Sequence, residues 1–84
     1  MNEINTKIKI TVNFTGLIDI KKISSGAELT LNNDVNISAL LSELGIKDHH
    51  KKYLVIMVNG KKETLFYNLR NNDEVSLFLP VGGG

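Results

Sequence analysis

The sequence contains no cysteine. Disulfide bonds and thiolate metal sites are therefore excluded, and so is a side-chain thiol that acts as a nucleophile. If the protein carries a covalently bound group, that group must be attached somewhere other than a cysteine side chain.

Charge of one sign is also scarce, because ten basic and nine acidic side chains leave a formal net charge of +1. Such a balance produces no strong field to attract nucleic acid or an anionic membrane. Lysines do occur in adjacent pairs, at Lys21-Lys22, Lys51-Lys52 and Lys61-Lys62. No aromatic residues that could stack on bases are interleaved with them, so we expect these lysines to lie on solvated faces. We predict neither nucleic acid nor a membrane as a partner.

Long apolar segments are missing as well. No run approaches the ~20 apolar residues that a membrane-spanning helix needs. The first five residues, Met1-Asn2-Glu3-Ile4-Asn5, lack the basic and then apolar stretch of a secretory signal. We therefore expect a cytoplasmic protein.

The sequence also lacks the motifs of a catalyst or a metal site. It has no Gly-x-x-x-x-Gly-Lys-Ser/Thr loop, and Gly60-Lys61-Lys62 does not lead into a helix that could bind phosphates. His49-His50 has no cluster of acidic residues or histidines at ligand spacing around it, so we expect it to lie in a solvated loop. We predict no metal, no bound cofactor and no catalytic residue.

Two segments of the first half alternate between apolar and polar residues, which is the pattern of a strand with one solvated face. They are Lys7–Phe14 and Ala27–Asn32, and a long polar stretch separates them. The pattern predicts an antiparallel hairpin with a long loop.

A helix is predicted next, because apolar residues recur at the i, i+3, i+4, i+7 spacing at Ile37, Leu40, Leu41 and Leu44. Asn36 is the expected N-cap, and Gly45 is the expected end of the helix.

The second half contains three further predicted strands. The run 54–58 is apolar at every position, so both faces of the predicted strand are apolar. This is the pattern of an inner strand that is covered on both faces or that exposes one apolar face. Asn59-Gly60 favours a tight turn after it. A short strand is predicted around 65–69, and a final strand is predicted over 74–79.

Because one helix is predicted beside these strands, the expected fold is α+β. It is a mixed sheet of four to five strands with one main helix across one face and the other face open. We expect residues 1–84 to form a single domain with a flexible tail at 81–84.

Three glycines, Gly82, Gly83 and Gly84, end the sequence directly after the last predicted strand. Glycine loses the most backbone entropy on ordering, roughly 0.5 to 1 kcal/mol relative to alanine, so we expect the tail to extend freely into solvent. Without side chains, such a tail can pass through a narrow channel and present its carboxylate inside another protein. A frayed terminus or a cloning scar is the alternative interpretation.

The end of the chain resembles a known signature. Asp73-Glu74-Val75 is followed by apolar residues, Pro80-Val81, one small residue and the terminal Gly83-Gly84. This order is similar to the C-terminus of the MoaD/ThiS sulfur-carrier family, and the resemblance implies a ubiquitin-like β-grasp fold. Weaker similarity lies upstream, at Phe14 and Leu17, at Asn36-Ile37 with Leu40-Leu41, and at Val58-Asn59-Gly60.

Two residues depart from the family pattern. Asn72 stands where the family usually has glycine, but asparagine also tolerates the positive φ of a turn. Leu79 stands where the molybdopterin branch often has a first proline. The ending Val-Gly-Gly-Gly also occurs in the thiamine branch, whereas the length and the long first loop are more similar to the small subunit of molybdopterin synthase.

The resemblance implies a chemistry for the tail. A separate ubiquitin-activating-type enzyme would consume ATP to adenylate the carboxylate of Gly84, and a sulfur donor of the cysteine desulfurase or rhodanese type would convert the adenylate to a thiocarboxylate. The tail, with Gly82 and Gly83 allowing its passage, would then deliver sulfur to the larger molybdopterin synthase subunit or to a thiazole synthase. In this scheme the chain is a carrier and not an enzyme. The alternatives are a ubiquitin-like modifier that is conjugated through Gly84 and a binding module with an idle tail.

Docking to these partners requires a surface near the tail. If Val75, Leu77 and Leu79 face the helix, Phe78 points to the open face of the sheet. We predict that Met57, Phe78, Pro80 and Val81 contact the partners. The alternative is that Phe78 folds over a sheet edge or packs in a minor core.

Overall fold

The computed structural model describes residues 7–15, 18 and 20–80. In this part of the chain, five strands form one mixed sheet and two short segments are helical. The strands are β1 (Lys7–Phe14), β2 (Ala27–Asn32), β3 (Val55–Val58), β4 (Lys61–Glu63) and β5 (Glu74–Phe78). The helices are α1 (Ile37–Glu43) and α2 (Asp48–Lys51). The strand order is β2-β1-β5-β3-β4, and only the central pair β1 and β5 is parallel. The predicted α+β sheet with one main helix is confirmed.

The core lies between one face of the sheet and α1. Every second residue of the three central strands is buried there, and the apolar stripe of α1 covers them. The fully buried side chains are Ile10, Val12, Ile37, Leu40, Leu41, Val75 and Leu77. Each side chain of this size stabilises the fold by roughly 1.5 to 3 kcal/mol when it leaves water. The alternation that predicted the strands therefore also decides which face of the sheet is covered.

Helix α1 begins and ends at the residues that the sequence predicts. The side chain of Asn36 accepts a hydrogen bond of 2.9 Å from the backbone N–H of Ala39, as an N-cap does. At the other end Gly45 has a φ of +89°, and the N–H of Ile46 donates to the carbonyl of Leu41 at 2.9 Å. This is the Schellman arrangement, and it turns Ile46 back toward the helix.

The position of the short fourth strand differs from the prediction. We expected it around 65–69, but β4 is Lys61–Glu63. The two-residue turn Asn59-Gly60, with φ values of 52° and 83°, folds the chain back at once, so that Lys61 pairs with Val58. The segment 65–69 instead passes the start of α1, where its carbonyls accept the N–H groups of Ile37 and Ser38. The segment 65–69 therefore forms hydrogen bonds with the first residues of α1 and is not part of a strand.

The connector between α1 and β3 differs as well. It contains the four-residue helix α2, which places the pair His49-His50 on a helix, still exposed. Lys51 is only 4 % exposed, so the expectation of a solvated face is wrong for this residue. Its ammonium group donates to the hydroxyls of Ser38 at 3.1 Å and Ser42 at 2.6 Å, and pairs with the carboxylate of Asp48 at 2.8 Å. These three acceptors make the burial of a charged group tolerable, and the two hydrogen bonds to Ser38 and Ser42 join α2 to α1.

Within the described residues, no helix is long and apolar enough to cross a membrane. The longest, α1, has seven residues.

Candidate functional site

The predicted tail follows the central strand of the sheet. Strand β5 runs parallel to β1 and antiparallel to β3, and its last residue, Phe78, pairs with Val55 at the start of β3. Leu79 is half-buried, and Pro80 is exposed. We call this side of the molecule the tail end. Val81, Gly82, Gly83 and Gly84 lie outside the described residues, so the roles predicted for them stay predictions.

The start of β5 is fixed by a buried carboxylate. Asp73 is 5 % exposed, and its oxygens accept three hydrogen bonds from outside its own residue. The donors are the side-chain amide of Asn59 at 2.8 Å, the phenol of Tyr67 at 3.0 Å and the backbone N–H of Arg70 at 2.9 Å. Asn59 also exchanges two hydrogen bonds with the backbone of Glu74, both 2.9 Å long. The β3–β4 turn and the approach to β5 are therefore joined at one point.

Two further features fix the backbone that leads into β5. Asn72 has a φ of 72°, so the turn before β5 adopts the positive φ that asparagine tolerates. Partial burial raises the pKa of Tyr67 above its ordinary value of 10.0, and the hydrogen bond to Asp73 and the charge of that carboxylate raise it further. Tyr67 is thus a neutral hydrogen-bond donor at physiological pH.

The open face of the sheet carries an apolar patch near the tail end. It consists of Val55, Met57 and Phe78, and we call it the open-face patch. Val55 pairs with Phe78 across the β3–β5 ladder, and Met57 lies diagonally from Phe78, within reach for a long side chain. Phe78 is 42 % exposed, and β5 is flanked by strands on both sides. The aromatic ring is therefore neither packed in a minor core nor folded over a sheet edge, and the predicted orientation is confirmed.

The remainder of this face is polar on the β1 side. Lys9, Thr11 and Asn13 alternate with the buried residues of β1, and Asn13 donates to the carboxylate of Glu74 at 2.9 Å. The open-face patch is thus bounded by polar groups. An apolar patch with a polar rim is typical of a surface that contacts another protein.

A second apolar surface lies at the tail end on the opposite side of the sheet. It is a groove of about 350 Å³ between the ends of α1, α2 and β5, and we call it the tail-end groove. Its lining consists of Ile18, Gly45, Ile46, His50, Tyr53, Leu54 and Leu79. Tyr53 is the most exposed large apolar residue of the lining, with 59 % of its surface in contact with solvent. Leu79 connects the groove directly to the strand that leads into the tail.

The sequence gives no prediction of this groove. Its residues come from four separate segments, and no periodic pattern joins them. The Gly45 stop signal followed by Ile46, and the aromatic Tyr53 within a polar connector, are the only local signals that could have indicated it. The sequence predicts the open-face position of Phe78 and leaves open which parity of β3 faces solvent; in the structure Val55 and Met57 are on that face.

No group of three or more His, Asp or Glu residues lies close enough together to hold a metal ion in the part of the chain that the structure describes. The rings of His49 and His50 contact one another, with centroids 4.1 Å apart. This pair alone supplies two ligands at most, fewer than a structural zinc site requires.

Comparisons with solved structures identify the fold. The Haloferax volcanii HVO 2177 protein aligns with a TM-score of 0.77 and 18 % identity, over 100 % of this chain and 93 % of that one. The H. volcanii small archaeal modifier protein 1 aligns with a TM-score of 0.65 and 17 % identity, over 88 % and 99 %. A chain of the Helicobacter pylori 26695 molybdopterin-converting factor, solved as a complex of subunits 1 and 2, aligns with a TM-score of 0.53 and 27 % identity, over 92 % and 100 %. These alignments confirm the predicted ubiquitin-like β-grasp fold.

Sequence comparison gives the family. A search of curated proteins finds no match. The sequence profile of the ThiS family matches residues 14–84, which is most of the chain and includes the terminal glycines. The chain therefore belongs to the ThiS family.

Proposed function

We propose that this protein is a sulfur carrier whose terminal residue, Gly84, is adenylated and converted to a thiocarboxylate. The observation that carries the proposal is the family match, which extends through Gly83 and Gly84 to the end of the chain. The absence of cysteine is consistent with it, because the carried sulfur is then bound to the C-terminal carbonyl carbon and not to a side chain.

The chemistry requires a separate enzyme. The Gly84 carboxylate attacks the α-phosphate of ATP, which releases pyrophosphate and leaves an acyl-adenylate. A sulfur donor of the cysteine desulfurase or rhodanese type carries its sulfur as a persulfide, which displaces AMP from the acyl-adenylate and forms an acyl disulfide. A second thiol, on the donor or on the activating enzyme, then forms a disulfide with the donor's sulfur and releases the thiocarboxylate at Gly84. In this proposal the activating enzyme is of the ubiquitin-activating type, and the chain itself is a cosubstrate and donor without catalytic groups.

Molybdopterin biosynthesis is the pathway that we favour for the sulfur. The support is a chain of the molybdopterin-converting factor of H. pylori. It is 27 % identical to this protein, the alignment covers 92 % of this protein, and it was solved in a complex of subunits 1 and 2. By analogy, the open-face patch and Pro80 would contact a larger synthase subunit and deliver the tail to it. Delivery to a thiazole synthase in thiamine biosynthesis is the alternative within the same chemistry.

Intact-mass spectrometry of the protein purified from its native cells tests the proposal. A sulfur carrier shows a mass increase that corresponds to the replacement of one oxygen by sulfur, and the increase disappears in a chain that lacks Gly83 and Gly84. A ubiquitin-like modifier would instead be found in isopeptide linkage to heavier proteins. Normal cofactor synthesis in cells that contain only the truncated chain would contradict the carrier proposal.

The pathway is tested by deletion of the gene in the native cell. Loss of molybdoenzyme activity with growth independent of added thiamine indicates the molybdopterin pathway. A requirement for thiamine with normal molybdoenzyme activity indicates the thiazole pathway.

A further inference from the structure

The tail-end groove and the open-face patch flank the same strand. Phe78 belongs to the patch on one side of the sheet, and the next residue, Leu79, lines the groove on the other side. The four residues after Pro80 span at most about 13 to 14 Å when fully extended. A protein that holds Gly84 is therefore close enough to the domain to contact both surfaces.

The rim of the groove is positively charged. The ammonium of Lys52 lies 5.5 Å from the centre of the Tyr53 ring, within the range of a cation–π contact. The ammonium of Lys22 donates to the carbonyl of Glu43 at 3.0 Å, at the end of α1 and two residues before Gly45. Lys47 is exposed next to Ile46. Three lysines thus lie close to residues of the apolar lining, two by their contacts and Lys47 by its place in the sequence.

Among the described residues near the rim, acidic groups do not balance these lysines. The carboxylate of Asp48 is paired with the ammonium of Lys51 at 2.8 Å, so its charge is already compensated. Glu43 is the other acidic residue among the described residues of this region, and its side chain is exposed. His50 also lines the groove.

We propose that the tail-end groove binds an apolar side chain from an acidic segment of the protein that takes up the tail. The apolar lining matches the side chain, and carboxylates that flank it in the partner match the lysines of the rim. This inference rests on the proposed function, because it assigns the occupant to a partner that engages Gly84. The open-face patch and the groove then hold the partner from both sides of β5.

A peptide titration tests the groove independently of the tail. The complete chain is titrated, by nuclear magnetic resonance, with a synthetic peptide in which Leu-Phe is flanked by two acidic residues on each side, and with a second peptide flanked by lysines. We expect the acidic peptide to shift the amide signals of Gly45, Ile46 and Tyr53, and to bind more weakly as salt screens the charges. The lysine-flanked peptide should bind at least tenfold more weakly.

Matched variants sharpen this titration. The substitutions Lys47→Glu and Lys52→Glu together should weaken binding of the acidic peptide about tenfold or more, because two attractive charges become repulsive. The same reversals at Lys61 and Lys62 are the control and should leave binding unchanged. All four side chains are exposed, so the variants should fold. Equal binding of the two peptides, shifts confined to the open-face patch, or shifts that grow with protein concentration alone would overturn the proposal.

A second measurement separates this inference from the proposed function. In adenylation of the complete chain by the activating enzyme, the Lys47→Glu, Lys52→Glu variant should raise the KM for the chain about tenfold while kcat changes little. An unchanged KM, with normal adenylation of the unsubstituted chain, overturns the groove proposal alone. Failure of the unsubstituted chain to be adenylated by that enzyme overturns the proposed function instead.

Discussion

The two ends of β5 differ in the kind of residue that surrounds them. At its start, Asp73 is buried and accepts hydrogen bonds from three other residues, and the backbone of Thr11 donates to its carbonyl at 3.0 Å. At its end, Phe78 and Pro80 are exposed, and the surfaces around them are apolar.

The difference indicates that the two ends of β5 have different roles. Satisfied buried hydrogen bonds fix one geometry, because leaving any of them unmade costs about 1 to 3 kcal/mol. Exposed apolar side chains contribute little to the isolated fold and gain their stabilisation when a partner covers them. The polar end therefore determines where the strand lies, and the apolar end is available for binding. Three substitutions test this comparison and a fourth, in α2, sets a lower reference for a solvent-screened ion pair; they follow from the largest expected effect to the smallest.

Asp73→Ala should have the largest effect. It leaves donors from Asn59, Tyr67 and Arg70 without their acceptor in a buried position, and we expect a loss of about 3 kcal/mol in the free energy of unfolding. Urea denaturation measures this loss. Asp34→Ala, at an exposed aspartate in the β2–α1 connection, is the control and should change stability by at most about 0.5 kcal/mol. Similar effects of the two substitutions would show that the polar network is not what fixes β5.

Phe78→Ala should weaken binding more than folding. We expect at least a tenfold loss of affinity for the activating enzyme, about 1.4 kcal/mol or more, with a change in unfolding free energy below about 1 kcal/mol. Isothermal titration calorimetry and urea denaturation give the two values. Phe66→Ala is the matched control, since Phe66 is 80 % exposed and lies beside the start of α1, away from the tail end. If adenylation and complex formation are the same in the Phe78 variant as in the parent, the open-face patch is not the docking surface.

Tyr67→Phe should lower the free energy of unfolding by about 1 kcal/mol at neutral pH, through loss of the hydrogen bond to Asp73. The pKa of this phenol is raised in the folded state, so its contribution is complete below the ordinary value of 10.0 and is lost as pH rises through the folded pKa. The parent should therefore lose more stability than the variant between neutral and strongly alkaline pH. Parallel loss in both proteins, followed by urea denaturation across this range, would contradict the assigned role of Tyr67.

Asp48→Asn should have the smallest effect. The pKa of Asp48 is lowered by its hydrogen bond to Lys51 and by the charge of that lysine. A lowered pKa gives stability that is present above the ordinary value of 3.8 and is lost as pH falls through the folded pKa. Because the carboxylate is exposed and solvent screens the pair, we expect only a slight change, seen as a shallower acid limb in thermal unfolding. A drop as large as that of Asp73→Ala would mean that α2 depends on this pair.

Much of the fold could be predicted because local patterns agree with the final packing. The alternation over Lys7–Phe14 identifies both a strand and its buried face. Asn59, Gly60 and Asn72 all have the positive φ that their residue types tolerate, so the turns are encoded where they occur. The exposure of Phe78 follows from the same period of two.

The features that were missed depend on residues far apart in the sequence. Lys51 is buried because Ser38 and Ser42 on another helix accept its hydrogen bonds, and a lysine pair gives no sign of that. The groove combines Ile18, Tyr53 and Leu79, which only the complete fold brings together. The short strand was misplaced because a strand of three residues such as Lys61–Glu63 is defined by its partner and has too few residues to show a period.

The central position of β5 has a mechanical consequence. Under the proposed function, an enzyme would draw the end of the chain into a channel, and a pull along the axis of β5 would load this strand. The ladders with β1 and β3 run on both sides of β5, and their hydrogen bonds lie across the pull, so they resist it together in shear and are not opened one after another. A tail on an edge strand such as β4 could be peeled away bond by bond. The central place of β5 would thus let the sheet bear such a pull without losing its strand pairing.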